Sequence, residues 1–200
     1  MFTGIVEEMG TIRKVVRQRG SVLFSIEGRK TGRSLRANDS IAVDGVCLTV
    51  IRRKKTIFDV QAVEETLKKT TLGRLAVSSK VNLERPLTGN SRLGGHFVLG
   101  HVDGSGIVEK IDRRKSSWMF WIRIPGKHRR LLIPVGSVAV NGVSLTVAAL
   151  KADRIGVSII PHTWRVTTFC KLSVGDRVNI ELDMLGKYVD QLLRARGDKG

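Results

Sequence analysis

The apolar positions of this chain fall in short runs separated by Gly, Asp, Asn and charged residues. Ile41-Ala-Val43, Cys47–Ile51, Phe58–Val63 and Val81–Glu84 have strand length, and several are rich in β-branched residues. Asp44-Gly45 and Asn141-Gly142 each join two such runs as a tight-turn dipeptide. Glu64–Lys69 reads as one or two helical turns between strands. Many short antiparallel strands in a small domain bury their edges by closing into a barrel. The end of the chain differs. Lys187–Arg196 lacks strand alternation and puts Tyr188, Val189, Leu192 and Leu193 on one helical face, between Gly186 and Gly197. So short a helix is not stable alone. Its apolar face packs either on the chain's own barrel or on copies of itself.

The barrel pattern occurs twice. Sliding the sequence by 97 residues lays Ser40–Glu84 on Ser137–Glu181 without a gap, with 18 of 45 positions identical. Near the start the offset is 96, matching Gly4 and Gly10 to Gly100 and Gly106. The halves span roughly 1–87 and 88–185, meeting near Pro86–Asn90, with a helix and tail over 186–200. A unit of that size suits a small domain with its own core. Two Greek-key-like barrels in tandem are expected.

Composition narrows the function classes. Hydrophobic residues are 42% and charged residues 26%, which excludes wholesale disorder, and with aromatics at 5% the core must be Val, Ile and Leu. Lys and Arg number 35 against 18 acids, a net +17, yet the two hundred-residue halves carry 18 and 17 cations. Evenly spread charge with few aromatics in the basic runs is read as a solvated surface rather than a nucleic-acid site. No run is long enough to span a membrane. Glu7 and Glu8 stand where a signal peptide would need a basic start and an apolar stretch, so a cytoplasmic chain is expected. Cys47 and Cys170 form no disulfide framework, and the four histidines show no metal-ligand spacing. A zinc site is not expected.

Several segments together resemble the riboflavin synthase family, alpha-chain type, whose members are lumazine-binding double-barrel proteins. Met1-Phe-Thr-Gly-Ile-Val6 is similar to its N-terminal signature. Asp44-Gly-Val-Cys-Leu-Thr-Val50 is similar to its first-barrel motif, and Gly94-Gly-His-Phe-Val-Leu-Gly-His-Val-Asp103 to its interdomain motif. Asn141–Val147, Ile160–Thr163 and Val178–Leu185 resemble the second-barrel signatures. The resemblance covers nearly the whole chain. It implies an all-β fold of two tandem six-stranded Greek-key-like barrels with a C-terminal α-helix, assembled as a homotrimer, and an association with lumazine synthase. It also implies an activity without cofactor or metal. Two molecules of 6,7-dimethyl-8-ribityllumazine dismutate into riboflavin and 5-amino-6-(D-ribitylamino)uracil by passing a four-carbon unit. Duplicated barrels suit two identical substrates, and the asymmetric transfer requires the halves to differ. Cys47 stands opposite Ser144, Glu65 opposite His162 and Pro86 opposite Asp183.

The chemistry needs a methyl proton removed, a nucleophile added to the other ring, and hydrogen bonds that hold both rings. The resemblance assigns it to Cys47, Ser144, His101, Asp183, Thr146 and Ser40, with Thr49 two residues beyond Cys47 on the same strand face. Substrate contacts are implied at Gly4, Ile5 and Val6, at Cys47, Leu48 and Thr49, and at Gln61, Ala62, Val63, Glu64, Glu65 and Thr66. In the second half they are implied at Gly100, His101 and Val102, at Ser144, Leu145 and Thr146, and at Ile160, Pro161, His162 and Thr163. Competing readings stand beside these. A lone cysteine is usually a small core hydrophobe, which is the reading kept for Cys170. Asp183 could be a surface carboxylate. His96 and His101, five apart, would face opposite ways on a regular strand, so His96 is read as structural if His101 is functional. Two departures from the family stand out. Val135 replaces a lysine that touches ligand, leaving one ribityl contact unaccounted for, and Ser78-Ser79 replaces a Gly-Asp turn present as Gly175-Asp176. A non-catalytic lumazine- or flavin-binding antenna protein shares these barrels and is the alternative function.

Overall fold

The computed structural model describes residues 1–197; residues 198–200, the end of the expected tail, lie outside the described residues. The first half holds β1 (Glu8–Gln18), β2 (Ser21–Glu27), α1 (Thr31–Ser34), β3 (Ser40–Val43), β4 (Val46–Lys54), β5 (Ile57–Val63), α2 (Glu64–Lys69) and β6 (Lys80–Glu84). The second holds β7 (Gly104–Arg113), β8 (Trp118–Arg123), β9 (Ser137–Val140), β10 (Val143–Lys151), β11 (Arg154–Ile159), α3 (Pro161–Val166) and β12 (Arg177–Leu182). A 3-10 turn over Gly126–Leu131 takes the place of α1. Each half is a closed barrel of antiparallel strands, in the same order: β1-β2-β5-β4-β3-β6 and β7-β8-β11-β10-β9-β12. The all-β reading with two six-stranded barrels holds.

Strand periodicity decides which side chains fill each barrel. On β4, Val46, Leu48 and Val50 point inward, while Cys47 is half-buried and Thr49 and Ile51 are exposed. Val22, Phe24 and Ile26 on β2 and Val60 and Ala62 on β5 complete one wall of the first core. Val138, Val140, Val147, Val157, Val178 and Ile180 do so in the second. Each fully buried Val, Ile or Phe contributes about 1.5–3 kcal/mol. Matching bulges break the register at Val50/Arg52 and Val147/Ala149. Ser78 and Gly175 share a positive φ, and Ser79 Oγ accepts the Ala76 N–H as Asp176 accepts the Ser173 N–H. The Ser-Ser sequence thus makes the same turn.

The barrels meet along a pseudo-two-fold axis through the two turn dipeptides. Gly45 and Gly142 touch backbone to backbone: a Cβ on Gly45 would stand 2.6 Å from the Gly142 nitrogen. Asn82 Nδ2 donates to Asn141 O and Asn179 Nδ2 to Asp44 O, each at 2.9 Å. The Asn82 and Asn179 carboxamide oxygens accept the Thr168 and Thr71 N–H groups across the same contact. No buried amide is left idle, so the relative placement of the barrels is fixed by directional bonds rather than by apolar contact alone.

α4 (Met184–Gly197) is longer than the helix read from the sequence, and Gly186 lies inside it rather than before it. The reason is the cap: Asp183 Oδ1 accepts the Leu185 N–H at 3.0 Å, starting the helix directly after β12. Its own barrel does not cover its apolar face. Leu185, Tyr188, Val189, Leu192 and Leu193 are each more than half exposed, so it is not this face that the helix lays on the parent barrel. Lys187 Nζ to Asp103 Oδ2 (2.6 Å) and Arg130 to Asp190 (3.2 Å) tether the opposite face.

Two positions carry a local cost. Asp44 is buried at the axis where its counterpart Asn141 is neutral, and burial pushes its carboxyl up to about 7 against the pull of the Asn82 N–H. The folded chain therefore keeps a proton that the unfolded chain, titrating near 3.8, has lost. The contribution is complete below pH 4 and is lost as pH rises toward 7. Asp44→Asn should raise stability at pH 8 by about 2–4 kcal/mol and change little at pH 4. Denaturant midpoints at the two pH values decide this, and equal shifts would refute it. Val135 sits at φ 63 and Asn38, its counterpart, at φ 74. A β-branched residue is strained there and asparagine is not. Val135→Asn should stabilise the chain by about 1 kcal/mol, seen as a melting temperature higher by roughly 2–4 °C; a lowered value would show that the valine is not strained.

Candidate active site

Two leading straps, one before each barrel, cross over to the other barrel. Phe2 and Val98 exchange backbone hydrogen bonds (2.7 and 3.1 Å) and are buried together with Ala42 and Ala139. Beyond them the straps diverge. Gly4 O accepts the Ser144 N–H of the second barrel at 2.8 Å, and Gly100 O accepts the Cys47 N–H of the first at 2.9 Å. Both glycines have positive φ, and a Cβ on either would lie within 2.6 Å of the facing Ser144 or Cys47 Cβ. The signature glycines are thus required by close approach.

Buried carboxylates hold the straps. Glu84 Oε1 accepts from Thr3 N and Thr3 Oγ1, both at 2.7 Å, and Oε2 from Gly4 N at 3.0 Å. Glu181 accepts from Leu99 N (2.7 Å) and Gly100 N (3.0 Å). Burial raises both carboxyls above the ordinary range, while the N–H donors pull them back. Sequence reasoning saw these glutamates only as matched positions of the repeat. A glutamate closing an apolar strand at the same place in both halves was the available signal.

The crossing sorts the expected residues into two clusters. In the first, Cys47 on β4 bonds Gly100 of the strap, Thr49 stands exposed two residues on, and beyond exposed His101 the strap residue Val102 packs on the first core. Ser40 pairs with Thr49 across the strands. Gln61, Val63, Glu64 and Glu65 are exposed at the end of β5 and on α2, with Gln61 Nε2 donating to Ser21 Oγ (2.8 Å). Glu64 and Glu65 pair with Lys68 and Lys69. Thr66 is half-buried. Leu48 and Ala62 point into the barrel core, so only their backbone can face a ligand. In the second cluster, Ser144 and Thr146 on β10 face Gly4, Ile5 and Val6, and Val6 and Leu145 pack on the second core. Ile160, Pro161 and His162 are exposed and Thr163 is half-buried at the start of α3. There Trp164 stacks flat on Trp118 (4.2 Å, 7°) where α2 has Leu67.

The histidine reading changes. Residues 96–101 form an irregular strap, not a strand, so alternation does not apply to them. His101 is exposed, whereas half-buried His96 places Nδ1 2.7 Å from Ser144 Oγ. Burial holds the His96 imidazole below its ordinary value, opposed by the attraction of Asp183. His96 and Ser144 therefore form a hydrogen-bonded pair within the field of Asp183, which the first cluster lacks. Asp183 also borders a cleft of about 420 Å³ with Ile133, Ser137, Leu185, Val189 and Leu193, which brings α4 to the rim of the second cluster. Cys170 lies apart, its Sγ donating to Thr167 O.

A duplicated barrel whose two ligand-facing clusters are exchanged by crossing straps defines a double-barrel small-molecule protein. The lumazine binding domain family matches twice, over residues 3–86 and 99–183. Riboflavin synthase of Bacillus subtilis (strain 168) is 42% identical over 96% of this chain and 90% of its own length. That of Actinobacillus pleuropneumoniae is 41% identical with the same coverage. Among solved structures, LumP complexed with riboflavin superposes with a TM-score of 0.85 at 26% identity, covering 91% of this chain and 99% of LumP. The chain belongs to the riboflavin synthase family of lumazine-binding double-barrel proteins.

The second cluster makes a spectroscopic prediction. His96 should titrate below 6.5, and Asp183→Asn should lower it further by removing the attracting charge. The amide keeps the helix cap. Histidine proton resonances followed against pH check this, and an upward shift in the variant would refute it.

Proposed function

We propose that the chain is a riboflavin synthase, dismutating two molecules of 6,7-dimethyl-8-ribityllumazine into riboflavin and 5-amino-6-(D-ribitylamino)uracil. Four carbons leave one molecule and join the other, so atoms balance with nothing added. The carrying observation is the exchange of straps, which sets Cys47 and Ser144 in matching half-open clusters. Two like clusters accept two identical molecules. Their differences supply the unlike roles that donor and acceptor need.

On this reading the side chains act as follows. Thr49 and Gln61, and Thr146 and His162, offer exposed hydrogen-bonding groups to the pyrimidinedione and ribityl parts. Ser144 Oγ, bonded to a neutral His96, can relay a methyl proton to the imidazole. Cys47 occupies the equivalent place in the first barrel as a nucleophile or hydrogen-bond partner. Identity supports the synthase reading: the chain is 42% identical to a riboflavin synthase over nearly its whole length.

Both clusters open outward, and α4 leaves five large apolar side chains uncovered. A homotrimer joined through α4 covers that face and sets the first barrel of one chain against the second of the next. Cytoplasmic residence belongs to this reading, with two free thiols that suit a reducing compartment. An association with lumazine synthase belongs to it also and rests on the resemblance alone. No helix among the described residues is long and apolar enough to cross a membrane.

The test is incubation with the lumazine alone, with riboflavin and the uracil product expected in equal amounts. Removing residues 184–200 should leave folded, ligand-binding monomers whose turnover per chain rises with protein concentration. No riboflavin from the full chain would refute the enzyme, and a truncated monomer with full, concentration-independent turnover would refute the shared site.

A further inference from the structure

The 3-10 turn Gly126–Leu131 holds an anomaly. His128 is buried, 8% exposed, and its Nε2 has no hydrogen-bond partner. In the first barrel the same place is taken by Thr31, whose N and Oγ1 donate to Glu8 at 2.6 and 2.8 Å. The second barrel has replaced that pair: Gly104 stands at the position of Glu8, and a Cβ there would lie 3.3 Å from His128 Nε2. A satisfied carboxylate contact has become an unsatisfied imidazole, which has a cost in a buried site and no packing advantage over an apolar ring.

The surroundings give the ring a task. From the segment before β7 comes Asp103, whose Oδ2 already accepts the Leu182 N–H (2.8 Å) and Lys187 Nζ (2.6 Å). From α4 comes Lys187. The turn itself supplies Lys127 and Arg130, and Arg130 reaches Asp190 of α4. The next carboxylate, Glu181, is engaged by the Leu99 and Gly100 N–H groups. A proton on His128 thus meets three cations and one anion, and that anion is the anchor of α4.

We propose that His128 is a proton-operated latch: on acidification its imidazolium competes with Lys187 for Asp103 and releases α4 from the second barrel. The sign follows from the site. Burial disfavours the charged ring and the three cations add to this, with Asp103 opposing, so the docked state binds the proton less readily than the released state. Release is therefore favoured as pH falls below the ordinary imidazole value of 6.5. The consequence for activity rests on the reading that α4 joins chains: with α4 free, the trimer and its shared sites come apart.

Deuterium exchange of the full chain, corrected for intrinsic rates, tests the latch. In the wild type, amides of α4 should lose protection by about tenfold between pH 7.5 and pH 5.5. His128→Gln, and His128→Phe as a second variant should the first not fold, should keep α4 equally protected at both. The same loss in a folded variant, or none in the wild type, would overturn the latch. Sedimentation at pH 7.5 judges assembly separately: a monomer there overturns the trimer and leaves the latch to the exchange result.

Discussion

The arrangement of the two clusters depends on two buried carboxylates, each holding a strap that belongs to one barrel against β4 or β10 of the other. Among the described residues neither Glu84 nor Glu181 has a direct ion-pair partner; they are stabilised by backbone N–H groups of Thr3 and Gly4 and of Leu99 and Gly100, with the Lys187 charge adding attraction at Glu181. Hydrogen bonds to an ionised acceptor contribute more than neutral ones, and removal of either glutamate would strand buried N–H donors. With both in place, Gly4 and Gly100 are pressed onto Ser144 and Cys47. The clusters cannot form in an isolated barrel, because each needs the other's strap. That is a physical reason for the duplication to stay on one chain.

The axis between the barrels works by the same rule. Asn82 and Asn179 each spend their carboxamide on the opposite half, and Gly45 against Gly142 leaves no room for adjustment. A rigid axis fixes the strap geometry, and the straps fix the clusters. The strained or ionisable exceptions, Asp44 and Val135, lie where the two halves have diverged. Symmetry is kept in the backbone and broken in side chains.

The barrels were legible because their signals are local: alternation along β4 and β10, the Asp-Gly and Asn-Gly turns, and a repeat of fixed offset. The crossing of the straps was not, since no local pattern says that Gly100 O will meet Cys47 N. The hydrogen bond of His96 to Ser144 was not foreseen, because a period-two argument does not hold over residues 96–101, whose backbone is irregular. α4 was started late because Asp183 was read for its chemistry, and its capping bond to Leu185 begins the helix at Met184. What covers the apolar face of α4 was an open choice in sequence; the structure shows that the parent barrel holds the opposite face and leaves this one exposed.

A duplicated site poses a problem for an asymmetric reaction, and the structure answers it economically. The shared frame gives both clusters the same strand, the same threonine and the same glycine contact. Differences then enter through residues that touch the frame without bearing on it. Ser144 gains His96 and Asp183, whereas Cys47 faces an exposed His101. On α3 Trp164 stacks on Trp118, where α2 carries Leu67 and two surface ion pairs instead. Gly104 and His128 replace Glu8 and Thr31 beside α4, so the helix is tied only to the second half. Each change is small against the energy of a barrel core. Together they make two unlike clusters out of one repeated fold, with α4 attached to the second barrel alone among the described residues.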